Sequence, residues 1–148
     1  MNKPITYIAV ILWVALIFYF SHQPASESNE LSTAITEVIV TAVEKVAPHS
    51  DFLVGNINHF VRKNAHFFIY LVLGVLVIRS LHLSGVDRYK AGILALFICI
   101  LYAISDELHQ LVVPGRGAQM RDVLIDSAGA FVGIGIYVAI LFRTRVDG

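Results

Sequence analysis

Charge is what this sequence has least of. Asp, Glu, Lys and Arg supply only 15% of its 148 residues, against about a quarter in an ordinary soluble domain. Lys plus Arg and Asp plus Glu number 11 each, so formal net charge is zero. No basic patch marks a nucleic-acid partner, and none is expected. Cysteine is reduced to Cys99, alone in an apolar stretch, where it reads as a small core residue and offers no disulfide framework. Neither an HExxH motif nor a paired CxxC occurs, so no ready-made metal framework is present. The chain also lacks internal repeats and low-complexity tracts and reads as one domain over 1–148.

What fills the space is hydrocarbon. Hydrophobic residues make up 57% of the chain, with a mean hydropathy of +0.72. Four apolar blocks, Ile5 to Phe20, Ala65 to Ile78, Ala91 to Ile104 and Val123 to Phe142, approach the ~17–25 residues of a membrane span, the first three with their flanks. The prediction is an all-α integral membrane bundle of four transmembrane helices, over approximately 5–22, 63–81, 90–108 and 122–143. Its first partner is the lipid bilayer. Lys3 ahead of a short apolar block resembles a signal peptide, but no clean small-x-small cleavage site follows Phe20, so the segment is read as a retained helix.

Between the first two blocks, "SHQPASESNE" breaks the apolar pattern at Pro24. Leu31, Ile35, Val38, Ala42 and Val46 then recur at helical spacing, predicting an additional amphipathic helix over approximately 28–47. It lies on the membrane surface or across the mouth of the bundle. Pro48 ends it, and Ser50 or Asp51 can cap a further helix that runs on into the second span. Tyr7, Trp13, Tyr19, Tyr89 and Tyr137 include interface anchors.

Lysine and arginine set orientation. With a cytoplasmic N-terminus, Lys3, Arg79, Arg88, Lys90, Arg143 and Arg145 lie inside and Lys45, Arg62, Lys63, Arg116 and Arg121 outside. Four of the outer five stand in polar clusters where a specific role can outweigh the bias, so both termini are expected in the cytoplasm.

Alternating spans bring three ionisable clusters to one side of the membrane. Entering the second span, His59, Arg62 or Lys63, His66 and Tyr70 share a helical face. After the third, "SDELHQLVVPGR" carries Asp106, Glu107, His109, Gln110 and Arg116. Opening the fourth, Asp122 and Asp126 are one turn apart, above Gly129 and Gly133 in a small-xxx-small pattern that permits close helix approach. A carboxylate as deep as Asp126 must be protonated, paired or hydrated, because Asp costs about 2.5–3.5 kcal/mol at a span's centre.

These segments resemble the VanZ-like family of small bacterial membrane proteins. The resemblance is carried by "FSHQPASES", "RKNAHFFIYLVLG", "SDELHQLVVPGR" and "RDVLIDSAGAFVG", in that order and spacing, and covers nearly the whole chain. One departure is Asp126, where the family pattern often has Asn. The resemblance implies a polytopic inner-membrane protein and, in some members, reduced susceptibility to teicoplanin-like glycopeptide antibiotics. The positions it carries over are Ser21, Gln23, Ser26, Arg62, Lys63, His66, Tyr70, Asp106, Glu107, His109, Gln110, Arg116, Asp122, Asp126 and Gly129.

Chemically, His66 or His109 suits a general base oriented by Asp106 or Asp122, while Arg62, Lys63 and Arg116 suit an anionic head group. Ser21, Gln23, Tyr70, Glu107, Gln110 and Asp126 complete the candidate binding set. Acyl or phosphoryl transfer or hydrolysis on a lipid-linked cell-wall precursor is one expectation. A non-catalytic module that holds a glycolipid, precursor or antibiotic is the other. A third reading is structural, since Asp106, Glu107, Asp122 and Asp126 match Arg62, Lys63, Arg116 and Arg121 in number. Asp106, His109, His66 and Asp122 could also ligate zinc or manganese, but a metal-free hydrogen-bonded network is preferred. "VVPGR" is a turn that could swing Arg116 over the start of the fourth span. Cofactor and oligomeric state are not legible.

Overall fold

The computed structural model describes residues 2–44 and 54–146. Its described residues form five helices: α1 (Lys3–His22), α2 (Ala25–Glu44), α3 (Val54–Leu83), α4 (Arg88–Gln110) and α5 (Met120–Val146). No strand occurs among them. Four helical stretches, Lys3–His22, Phe60–Leu83, Arg88–Gln110 and Met120–Leu141, are long and apolar enough to cross a membrane. The expected caps at Ser50 and Asp51, and the end of the amphipathic helix at 45–47, lie outside the described residues.

Local chemistry sets the boundaries. Pro4 sits in the first turn of α1, where its missing N–H costs nothing. At the other end Pro24 holds Gln23 in an extended conformation and stops the helix. Asp87 caps α4 by accepting from the backbone N–H groups of Tyr89 and Lys90. Beyond α4, Gly115 adopts φ +74°, which its lack of Cβ permits, and the chain turns towards α5.

The bundle is closed by small residues. Ala91, Ala95, Cys99 and Ala103 form a fully buried stripe along α4, one residue per turn. On α3 and α5, Gly74 faces the Ala130 carbonyl, Gly129 faces Phe67 and Gly133 faces Leu71, each through backbone atoms that leave no room for a Cβ. The glycines thus draw α5 against α3, yet the helix in contact with all four others is α3. In lipid the gain is close packing, because hydrocarbon outside is as apolar as the core. Trp13 Nε1 donates to the Ile69 carbonyl at 2.9 Å and the Tyr102 hydroxyl to the Val14 carbonyl at 2.8 Å. Trp13, midway along α1, is therefore a link between α1 and α3.

α2 turns an unexpected face inward. Ser32 and Thr36 are buried, whereas Leu31 and Ile35 are half-exposed and Val38 lies open. Ser32 Oγ donates to the Ser28 carbonyl and Thr36 Oγ1 to the Ser32 carbonyl, both at 2.8 Å, so the inward hydroxyls are satisfied within the helix. Val38 of its apolar stripe faces outward, as on an interfacial helix, while half-exposed Leu31 and Ile35 stand at the edge of the bundle. The N-terminus of α2 is tied down where the Ala25 N–H donates to the Pro114 carbonyl at 3.2 Å.

Candidate functional site

One end of the bundle gathers the end of α1, the start of α2, the early turns of α3, the end of α4 and the start of α5. The apolar stripe of α4 changes character there: Asp106, Glu107 and Gln110 are buried on the face that Ala103 occupies one turn earlier. Asp126 on α5 is 0% exposed. Its neighbour across the interface is His66 of α3, with Nδ1 3.3 Å from Asp126 Oδ1. One turn nearer the helix ends, Lys63 Nζ donates to Asp122 Oδ1 at 3.2 Å. Both pairs follow from the Gly129 contact with Phe67, which fixes how closely α3 and α5 approach beside His66 and Asp126.

Asp106 faces the same interior from α4. Gln110 Nε2 donates to Asp106 Oδ2 at 3.5 Å, and the Ser21 hydroxyl, His66 and Arg116 lie close enough to interact with its carboxylate. Tyr70 is buried between Asp106 and Asp126, its hydroxyl within their electrostatic reach and without a hydrogen-bond partner. Ser21 Oγ and Glu107 Oε1 likewise lack one, and the Asp126 carboxylate has only its 3.3 Å contact with His66. Buried polar groups are normally satisfied, so this concentration is a departure that structural closure does not explain.

The loop after α4 completes the wall. Glu107 Oε2 accepts the Gln119 backbone N–H at 2.6 Å, at the start of α5, where a negative charge is favoured. Arg116 Nη2 donates to the Phe20 carbonyl at 3.2 Å, tying the loop to α1. Burial, and then the neighbouring Arg62 guanidinium, lower the Arg116 pKa from its ordinary value against the opposing pull of Asp106 and Glu107. Arg62 and Arg116 both border a common space.

That space has two parts. A larger cavity of about 240 Å³ lies between α1, α2 and α3, with Ser21, Gln23 and Asp106 among its lining groups. A smaller one of about 80 Å³ is bounded by Gln110, Gln119, Asp122 and the loop glycines. Arg62, His66 and Arg116 line both. His66 thus has a carboxylate behind it and cavity before it, the arrangement of an oriented acid–base group.

His109 goes elsewhere. Its Nε2 lies 3.1 Å from His22 Nδ1 and its ring packs on Phe18, towards α1. Arg121 points outward. Among the described residues no three His, Cys, Asp or Glu side chains converge as a metal-ligand set, so the grouping of Asp106, His109, His66 and Asp122 is not assembled. Several wall residues escape sequence reading: Ile17, Phe20, Ser28 and Ser32 line the larger cavity and Gln119 the smaller. Ser28, Ser32 and Thr36 did carry a signal, a hydroxyl every fourth residue beside the apolar stripe of α2. The wall contributions of Gln119 and of the Phe20 carbonyl have none.

The comparison with protein families bears on this architecture. The VanZ/LLP1 family model matches residues 6–143, nearly the whole chain and all four apolar spans. The chain belongs to the VanZ/LLP1 family. It is a multi-pass membrane protein with four spanning helices. No curated protein and no solved structure matches it. The cavities, the His66–Asp126 pair and the Arg62–Arg116 pair all fall inside the part of the chain that the VanZ/LLP1 family covers.

Proposed function

We propose that the protein acts in the bacterial inner membrane on a lipid-linked envelope molecule, with the site opening at the extracytoplasmic face and both termini in the cytoplasm. The observation that carries this is the pairing of a fully buried Asp126 with a cavity-lining His66 at 3.3 Å, inside helices otherwise apolar enough for lipid. Ionisable groups at membrane depth are costly and mark function by default. Asp126 orients the imidazole through Nδ1, and the other ring nitrogen serves as acid or base for transfer or hydrolysis. Ser21, buried beside Asp106 and lining the cavity, is the available hydroxyl for a transfer step. Lys63 with Asp122, and Glu107 with Gln119, hold the walls.

A non-catalytic ligand module is favoured by one specific observation: among the described residues no side-chain hydroxyl hydrogen-bonds His66. Lipid and cell-wall-precursor profiling separates the two. Removing the protein, or introducing His66→Gln with unchanged membrane abundance, is expected to make the same lipid-linked species accumulate. An unaltered profile in both cases defeats the enzymatic reading and leaves the binding module. Lowered glycopeptide susceptibility, where it occurs, would follow from an altered or shielded precursor.

A further inference from the structure

The two cavities differ in chemistry but share a partition. The larger is walled by Ile17, Phe20, Leu31, Ile35, Val61 and Ile69. Ser32 also borders it, but its hydroxyl is spent on the Ser28 carbonyl and offers nothing to a ligand. Leu31 and Ile35 are each about half-exposed, so this chamber meets the hydrocarbon side of α2. The smaller chamber is lined by Arg62, Arg116, Gln110 and Gln119, all able to donate hydrogen bonds. Its one carboxylate, Asp122, is already engaged by Lys63.

Size and charge then select a ligand. A chamber of about 80 Å³ accommodates a phosphate group, the volume of a few waters at roughly 30 Å³ each, and the second negative charge of a monoester is matched by two guanidinium groups where a diester brings only one. Like charges lining one chamber repel less once an anion lies between them, and a planar guanidinium matches phosphate oxygens in pairs. The larger chamber, at about 240 Å³, takes the first part of a hydrocarbon chain, whose remainder passes Leu31 and Ile35 into the bilayer.

Resting on the lipid-linked reading above, we infer that the two chambers hold one molecule, a lipid ending in a phosphate monoester: phosphate between Arg62 and Arg116, chain beneath α2. The arginines are binding residues, and α2 with its satisfied serine stripe is the wall that selects for a chain.

Native mass spectrometry of the detergent-solubilised full chain tests this with lysophosphatidic acid, lysophosphatidylglycerol, lysophosphatidylcholine and inorganic phosphate as probes. Lysophosphatidic acid should be retained roughly tenfold better than the two diesters, the effect of about one charge-assisted hydrogen bond. Arg62→Gln and Arg116→Gln should each remove that preference, while Ser32→Trp, which fills the apolar chamber, should weaken all three lysolipids. Thermal stability is measured alongside, and Arg116→Lys, which retains the charge, keeps the comparison open if Arg116→Gln unfolds. Equal retention of the three lysolipids overturns the inference. So does inorganic phosphate binding as tightly as lysophosphatidic acid, since that leaves an anion site without a chain. A changed lipid profile without monoester preference sinks this inference alone, whereas monoester preference with an unchanged profile sinks only the enzymatic reading.

Discussion

Gly129→Ala is the sharpest perturbation, because it acts on the helix approach that brings His66 to Asp126. An added Cβ would collide with the Phe67 carbonyl oxygen and come within 3.0 Å of its carbon and 3.2 Å of the Leu71 nitrogen. All are backbone atoms and cannot rotate away. Restoring ordinary contact at ~3.5–4.0 Å requires α3 and α5 to part by roughly 1–2 Å. The 3.3 Å contact between His66 and Asp126 would then pass the ~4 Å limit of such a pair, leaving a fully buried carboxyl group without its one close partner. Overpacking costs about 1–3 kcal/mol, and the Gly-to-Ala gain of roughly 0.5–1 kcal/mol in a helix offsets part of it. A net loss of about 1–2 kcal/mol corresponds to a fall in Tm of roughly 2–8 °C for a chain of this size. The control is Gly135→Ala on the same helix, where nothing lies within 4 Å of the added Cβ and the helix-propensity gain stands alone. Thermal unfolding of the two variants in one detergent should therefore move in opposite directions. A shared direction would refute the backbone-to-backbone contact between α3 and α5.

Two other perturbations probe the loop and the topology. Glu107→Gln keeps an acceptor for the Gln119 N–H but removes the charge from a 2.6 Å contact. A loss of about 1–2 kcal/mol is expected, read as lower Tm and faster proteolysis between Val112 and Gln119; unchanged proteolysis would show that the loop is held by other contacts. In a Cys99→Ala background, Val86→Cys between α3 and α4 should react with an impermeant thiol reagent only from the cytoplasmic side, and labelling from outside would invert the proposed orientation.

The spans were legible because lipid imposes one rule: about 20 residues must be apolar and helical, whatever their partners. Glycine spacing on α5 likewise marked a close helix contact, while its partner, α3, came from the tertiary structure. Within the site, legibility stops at the resolution of helical phase. Relative to Asp106, a step of three residues is about 60° off in one direction and a step of four about 40° off in the other. Sequence spacing therefore assigns His109 and Gln110 to one stripe with Asp106. In the bundle that stripe straddles a boundary: Gln110 turns inward to Asp106, while His109 turns to His22 and Phe18. Which neighbour lies on each side is tertiary information. Backbone groups are a second blind spot, since the Phe20 carbonyl and the Gln119 N–H enter the site without any side-chain signature.

The distribution of satisfied and unsatisfied groups separates scaffold from working site. Lys63 pairs with Asp122, Glu107 Oε2 holds the loop, Tyr102 and Trp13 hold α1, and the α2 hydroxyls bond their own helix. A lattice built only to close the bundle would extend that pattern inward. Instead Ser21 Oγ and Tyr70 OH lack hydrogen-bond partners, the Asp126 carboxylate has only its contact with His66, and His66, Ser21 and Asp106 border a cavity. Each such group forfeits about 1–3 kcal/mol relative to a satisfied one. Apolar residues at these positions would pack the same helices without that cost, so stability alone does not account for them. A ligand or a reacting group does, because it can satisfy at the moment of binding what the resting protein leaves unmet.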